Sequence, residues 1–290
     1  MPVAAVNGTS LHYRVGGEGV PIVFIHPPLL TSAVFAYQMA QLSADMKVIT
    51  FDIRGHGRSP YSPAPVTFEL IAEDIKQLLD YLEIEKAFIC GYSTGGEIAM
   101  EAMLAYPDRF LGGILISAQS EASDVLLRGV IRLMSGMSGW RLSFPLLKFA
   151  ISQGNADSKE TQRNLWRDAK GGDIRNIHQY FKYSLNYTCT KRLSRLQTPV
   201  LLLYGDKDRA FKRYSALLLR ELPHVELVMI SKKKHQLPTP TKAPDSINET
   251  IRRWVGTVLP AGKEAVDREE ERLPGIYPGD HADYAEQPRL

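Results

Sequence analysis

The sequence predicts an α/β fold, a mostly parallel central sheet with helices on both faces, broken by one helical insertion. Three observations carry this. Apolar runs of strand length recur at Pro21–Ile25, Lys47–Phe51, Lys86–Gly91, Gly113–Ser117, Pro199–Tyr204 and Val225–Ile230. Helical periodicity fills most of the gaps between them, and strands separated by helices pair in parallel. The alternation stops at 120 and resumes near 197, with mainly helical sequence between.

Each element follows from local chemistry. Asn7-Gly8 tolerates the positive φ of a type I′ turn, so Met1–Val6 and Leu11–Val15 read as an antiparallel hairpin. Ser32–Leu42 reads as a helix. Phe68, Ile71, Ala72, Ile75, Leu78, Leu79 and Leu82 recur at helical spacing behind Thr67, a natural N-cap. A helix follows at Thr94–Tyr106 and another at Tyr214–Leu222. Ser246-Ile247-Asn248-Glu249 has capping-box spacing and predicts a last helix reaching about Val258. The domain layout expected is a core of residues 1–119 and 197–260, an insertion at 120–196, and a charged, loosely ordered tail at 261–290.

Composition narrows the function. Of 290 residues 44% are apolar and 23% charged, ordinary for a soluble globular chain. A net charge of +3 is too small to argue for nucleic acid. The apolar runs fall far short of the ~20 residues that cross a bilayer, and Met1–Thr9 lacks the pattern of a secretory leader. Two cysteines, Cys90 and Cys189, support neither a disulfide framework nor a thiolate metal site, so a reducing cytoplasm is the expected compartment.

The chemistry concentrates at Ile89-Cys90-Gly91-Tyr92-Ser93-Thr94-Gly95-Gly96. A β-run enters it and a helical pattern leaves it, and Gly91 and Gly95 flank Ser93 in G-x-S-x-G spacing. A sharp strand-to-helix turn lifts such a serine above the sheet edge, beside the free N–H groups of a helix start. Ser93 is therefore the candidate nucleophile. With the Ile25-His26-Pro27-Pro28 turn, the Asp52-Ile53-Arg54-Gly55-His56-Gly57-Arg58-Ser59 loop, Gly205-Asp206-Lys207-Asp208 and His235, the chain resembles the α/β-hydrolase family over nearly all of residues 2–260. The order serine, acid, histidine is the order of that fold.

A serine hydroxyl needs a base. Of seven histidines, only His235 lies directly after the last strand, where a loop returns over the sheet's C-terminal edge, since His281 falls in the tail. Asp206 and Asp208 both follow the Pro199–Tyr204 strand. The resemblance places the acid three residues after the glycine, at Asp208, while some relatives carry it one strand earlier, where Glu121 is nearest. The oxyanion turn departs from the family. Relatives commonly read His-Gly-X and use the N–H of X. Here Pro27 and Pro28 follow His26, and proline has no N–H. Thr94 supplies one donor, and Leu29 becomes the candidate for the second.

The resemblance further implies that residues 120–196 form a helical cap over the site. That segment holds 13 Lys/Arg against 6 Asp/Glu, a charge of +7, and is rich in aromatics. The expected activity is a serine hydrolase that needs no cofactor and no metal, acting on a small-molecule ester of small or medium acyl length. Within the fold the rivals are a carbon–carbon bond hydrolase, a lactonase and a metal-free haloperoxidase or perhydrolase. A slow-turnover ligand receptor is the rival from another class.

Overall fold

In the computed structural model, which describes residues 2–238 and 244–259, Asn7 and Gly8 take left-handed backbone (φ 46 and 69). They close a hairpin between β1 (Val3–Val6) and β2 (Thr9–Gly16). Six more strands follow: β3 (Val20–Ile25), β4 (Met46–Phe51), β5 (Ala87–Tyr92), β6 (Phe110–Ile116), β7 (Val200–Gly205) and β8 (Val225–Ile230). Among the described residues they form one eight-stranded sheet in the order β1-β2-β4-β3-β5-β6-β7-β8. β1 and β2 pair antiparallel and β2 joins β4 antiparallel; every other pairing is parallel.

The parallel strands are apolar on both faces because helices cover both, as expected for crossover-connected strands. Val23, Ile25, Ile89, Leu202 and Tyr204 point into one core with Ile71, Ile75 and Leu78 of α2 (Phe68–Tyr81) and Ile98 and Met103 of α3 (Thr94–Ala105). Their sequence neighbours face the opposite way. Phe24 meets Phe35, 5.0 Å between ring centroids, and Phe88 meets Trp254 of α9 (Pro244–Val258) at 5.9 Å. Each such burial contributes roughly 1.5–3 kcal/mol.

Several element ends differ from the sequence reading. The helix expected from Ser32 opens as a 3-10 turn, Ser32–Phe35, whose N-cap Thr31 accepts from the Ala33 N–H; α1 proper is Ala36–Leu42. β6 begins at Phe110, three residues earlier than read. Gly112 and Gly113 hide its signal because they have no side chain; a Cβ at Gly112 would meet the Phe88 ring at 2.7 Å, and one at Gly113 the Met103 sulfur at 2.6 Å. α8 is Lys212–Glu221, and α9 begins at Pro244, so Ser246 lies inside the helix and does not cap it. Proline suits the first turn of a helix, where its missing N–H costs nothing.

Between β6 and β7 lie four α-helices, α4 (Val125–Ser138), α5 (Phe144–Gly154), α6 (Lys159–Ala169) and α7 (Ile174–Ser184), followed by a 3-10 helix, Thr190–Arg195. Asp124, Ser158 and Asp173 cap α4, α6 and α7 by accepting backbone N–H bonds. Residues 261–290, read as a tail, lie outside the described residues.

Candidate active site

Three parallel strands deliver their C-terminal ends to one place. β5 ends in Ser93, whose backbone is left-handed (φ 54, ψ −123). A β-carbon at Gly91 would lie 2.3 Å from the Gly95 carbonyl, and one at Gly95 would lie 2.3 Å from that of Ile25. Only glycine at both positions lets β5, α3 and the end of β3 close around the turn.

The loop after β7 carries Asp208, 7% exposed, and the loop after β8 carries His235. His235 Nδ1 lies 2.9 Å from Asp208 Oδ2, and Nε2 lies 3.1 Å from Ser93 Oγ. Nδ1 can therefore donate to the carboxylate while Nε2 is left to accept from the serine hydroxyl. Asp208 Oδ1 accepts from the Phe211 N–H at 3.3 Å, and the Phe211 ring packs on the imidazole, 4.1 Å between centroids. Asp206 is exposed at the turn. Glu121 accepts bonds from Thr190 Oγ1 (2.8 Å) and Thr188 Oγ1 (3.1 Å), so it is engaged elsewhere.

The turn after β3 is held by His26. Its Nδ1 donates to the Pro27 carbonyl at 2.9 Å and its Nε2 accepts from the Ile53 N–H at 2.9 Å. Complete burial lowers its pKa, which keeps the ring neutral as both bonds require. His56, also buried, is held down at about 3, chiefly by burial. The loop behind it is anchored by Arg54, 1% exposed, whose Nε donates to Asp74 Oδ2 at 2.7 Å.

Ser93, Thr94 and His235 open on a cavity of about 270 Å³, near the lower end of ligand pockets at about 300–1,000 Å³. Pro27, Pro28 and Leu30 form one wall. The helical insertion supplies the facing apolar wall, with Val130, Ile131 and Met134 of α4, Ile151 of α5 and Phe181 of α7. Leu29, the expected second oxyanion donor, is not brought to this wall. Its backbone is left-handed (φ 67), and its side chain packs with Phe144, Leu147, Ile177 and Phe181.

Sequence reasoning missed four residues here. Tyr92, the variable position before the serine, donates from its hydroxyl to Asn155 Oδ1 at 2.8 Å, tying β5 to the insertion. Gln119, 1% exposed, lines the cavity just past β6. Nearby the completely buried Glu97 has its pKa driven well up by burial, and neither of its carboxyl oxygens has a hydrogen-bond partner among the described residues. Phe211 is the fourth. Only its position three residues after the acid could have marked it. Among the described residues no group of His, Cys, Asp or Glu is arranged to hold a metal ion, and no helix is long and apolar enough to cross a membrane.

Residues 20–237 match the family described as alpha/beta hydrolase fold. The chain belongs to the α/β-hydrolase fold family. Relatives that it matches include proteins named as hydrolases. It is 26% identical over 267 residues to a protein named putative carbamate hydrolase RutD from Azorhizobium caulinodans, covering 89% of this chain and 99% of that one. It is 28% identical over 247 residues to the human serine hydrolase BPHL, covering 80% and 79%. A solved esterase from Thermogutta terrifontis superposes with a TM-score of 0.76 at 21% identity, covering 89% of this chain and 99% of that one; at such identity the likeness shows the fold alone.

Proposed function

We propose that this α/β hydrolase is a serine carboxylesterase working without a cofactor on esters of small or medium acyl length. The observation that carries the reading is the 3.1 Å approach of His235 Nε2 to Ser93 Oγ inside a largely apolar cavity. The names of its relatives, a serine hydrolase and a carbamate hydrolase, point to the same acyl chemistry.

In the proposed reaction Ser93 Oγ attacks the ester carbonyl while its proton passes to His235 Nε2. Asp208 orients the ring and stabilises the imidazolium. The tetrahedral oxyanion accepts the Thr94 N–H at the start of α3, a group with no partner within the helix. We assign the second contact to the Leu29 N–H, the first donor after the two prolines, although its side chain faces away from the cavity. Collapse expels the alcohol, which takes the proton from His235. Water then attacks the acyl-Ser93 ester, giving its proton to His235, and the carboxylic acid leaves with Ser93 restored.

Pro27 and Pro28 line the cavity and cannot donate, and the loss of one oxyanion donor typically costs about 10²–10³ in turnover. That favours a second reading, a slow-turnover receptor on the same scaffold. Labelling with a fluorophosphonate, with p-nitrophenyl ester turnover measured in parallel, tests both. Label on wild type and none on Ser93→Ala, with turnover above ~1 s⁻¹, supports the esterase. Label without appreciable turnover supports the receptor, and equal label on both proteins removes Ser93 from either mechanism.

A further inference from the structure

α4 is apolar on two faces. Ile131 and Met134 look into the cavity, as does Val130 at the boundary. A second stripe faces out: Leu126, Val130, Leu133 and, two residues past the helix end, Trp140, which is 73% exposed. Leu142 beyond it is 92% exposed, and α5 continues the outward surface with Leu146 and Phe149. A helix at a water-facing surface ordinarily carries one apolar stripe, so an outward second stripe calls for something to cover it.

Charge decides between the possible covers. Residues 125–154 contain Arg128, Arg132, Arg141 and Lys148 and no acidic residue. Arg128 is spent on the Ala122 and Leu185 carbonyls, each at 3.0 Å, whereas Arg132 and Arg141 are exposed. The flanking acids are engaged: Asp124 pairs with Arg213 at 2.7 Å, and Asp157 accepts from Tyr37 at 2.9 Å. A second copy bringing the same face would set cations against cations. An anionic surface complements them, and a layer of exposed leucines, a tryptophan and arginines is the composition of a helix lying in a lipid headgroup region.

We propose that the outward face of α4 and α5 docks on an anionic lipid bilayer, with Trp140 and Leu142 at its surface layer and Arg132 and Arg141 on the headgroups. Val130 belongs both to this face and to the cavity wall, so the docked surface is continuous with the mouth of the site. The docking itself does not depend on the esterase reading, because it is read by binding and not by turnover.

The test is sedimentation of the full chain with phosphatidylcholine vesicles, with and without phosphatidylglycerol. Wild type should bind the anionic vesicles at least about tenfold more tightly than the neutral ones, less so as salt rises. Leu126→Ser/Trp140→Ser/Leu142→Ser should lower that partition at least about tenfold, with an unchanged melting temperature because these side chains are exposed. Arg132→Gln/Arg141→Gln should lower it on anionic vesicles only, and serves if the first variant misfolds. The proposal is overturned if wild type does not distinguish the two vesicle types, or if both variants bind within about twofold of it. It is equally overturned if wild type ignores vesicles and ultracentrifugation finds a dimer that the triple variant dissolves.

Discussion

Phe211 covers His235, 4.1 Å between ring centroids, while its own N–H bonds Asp208 Oδ1 at 3.3 Å. One residue thus bears on both partners of the proposed proton relay. Phe211→Ala should lower kcat by roughly tenfold, since misplacing a positioned group by a fraction of an ångström is costly. KM should change little, and Phe211→Tyr should restore most of the loss. A rise in KM alone would make Phe211 a substrate contact.

The acid has a graded test. Asp208→Asn should reduce kcat by roughly 10³–10⁴-fold, because the histidine loses both its orienting acceptor and its imidazolium partner. Asp206→Asn, at an exposed turn, should leave kcat nearly unchanged. Steady-state ester hydrolysis by both variants decides, and the reverse ranking would move the acid to Asp206.

The double proline can be tested directly. Pro28→Gly places an N–H where relatives carry a donor and loosens the turn. If the Leu29 N–H holds the oxyanion as proposed, the variant should lose both turnover and melting temperature. A large gain in turnover, towards ~10²-fold, would remove Leu29 from the mechanism and favour the slow receptor.

Glu97 should make stability fall as pH rises. Its folded pKa lies above the unfolded one because burial disfavours the carboxylate. The fold therefore holds a proton that the unfolded chain releases above about 4.5. Stability is complete below that pH and is lost above it, by at most about 1.4 kcal/mol per pH unit, the limit for one proton. Glu97→Gln cannot ionise, so its unfolding midpoint in urea should gain on wild type as pH rises above about 4.5. A constant difference above that pH would show that Glu97 does not titrate on unfolding.

The buried imidazoles act on the acid side. His56, held down at about 3, and His26, also lowered by burial, stay neutral in the fold while the unfolded chain takes up protons below 6.5. Their contribution is complete above 6.5 and is lost as pH falls towards 3. Urea midpoints of wild type should therefore drop steeply from pH 6.5, and His56→Phe should show a shallower fall.

What the sequence alone determined is what neighbouring residues encode. The alternation of strand and helix, the Asn7-Gly8 turn, the Thr67 cap and the glycine-flanked turn at Ser93 are all set by a few adjacent side chains. The order of Ser93, Asp208 and His235 along the chain was legible for the same reason, through motifs only a few residues long. Tertiary structure alone decided what depends on strand register and helix placement. The parallel sheet brings His235 to Ser93 across 142 positions, and places Asn155 against Tyr92 across 63. It also turns the Leu29 side chain into the insertion core and gives α4 an outward apolar stripe. Such contacts join residues with no local signal in common, and only the packed sheet and its crossovers bring them within bonding distance.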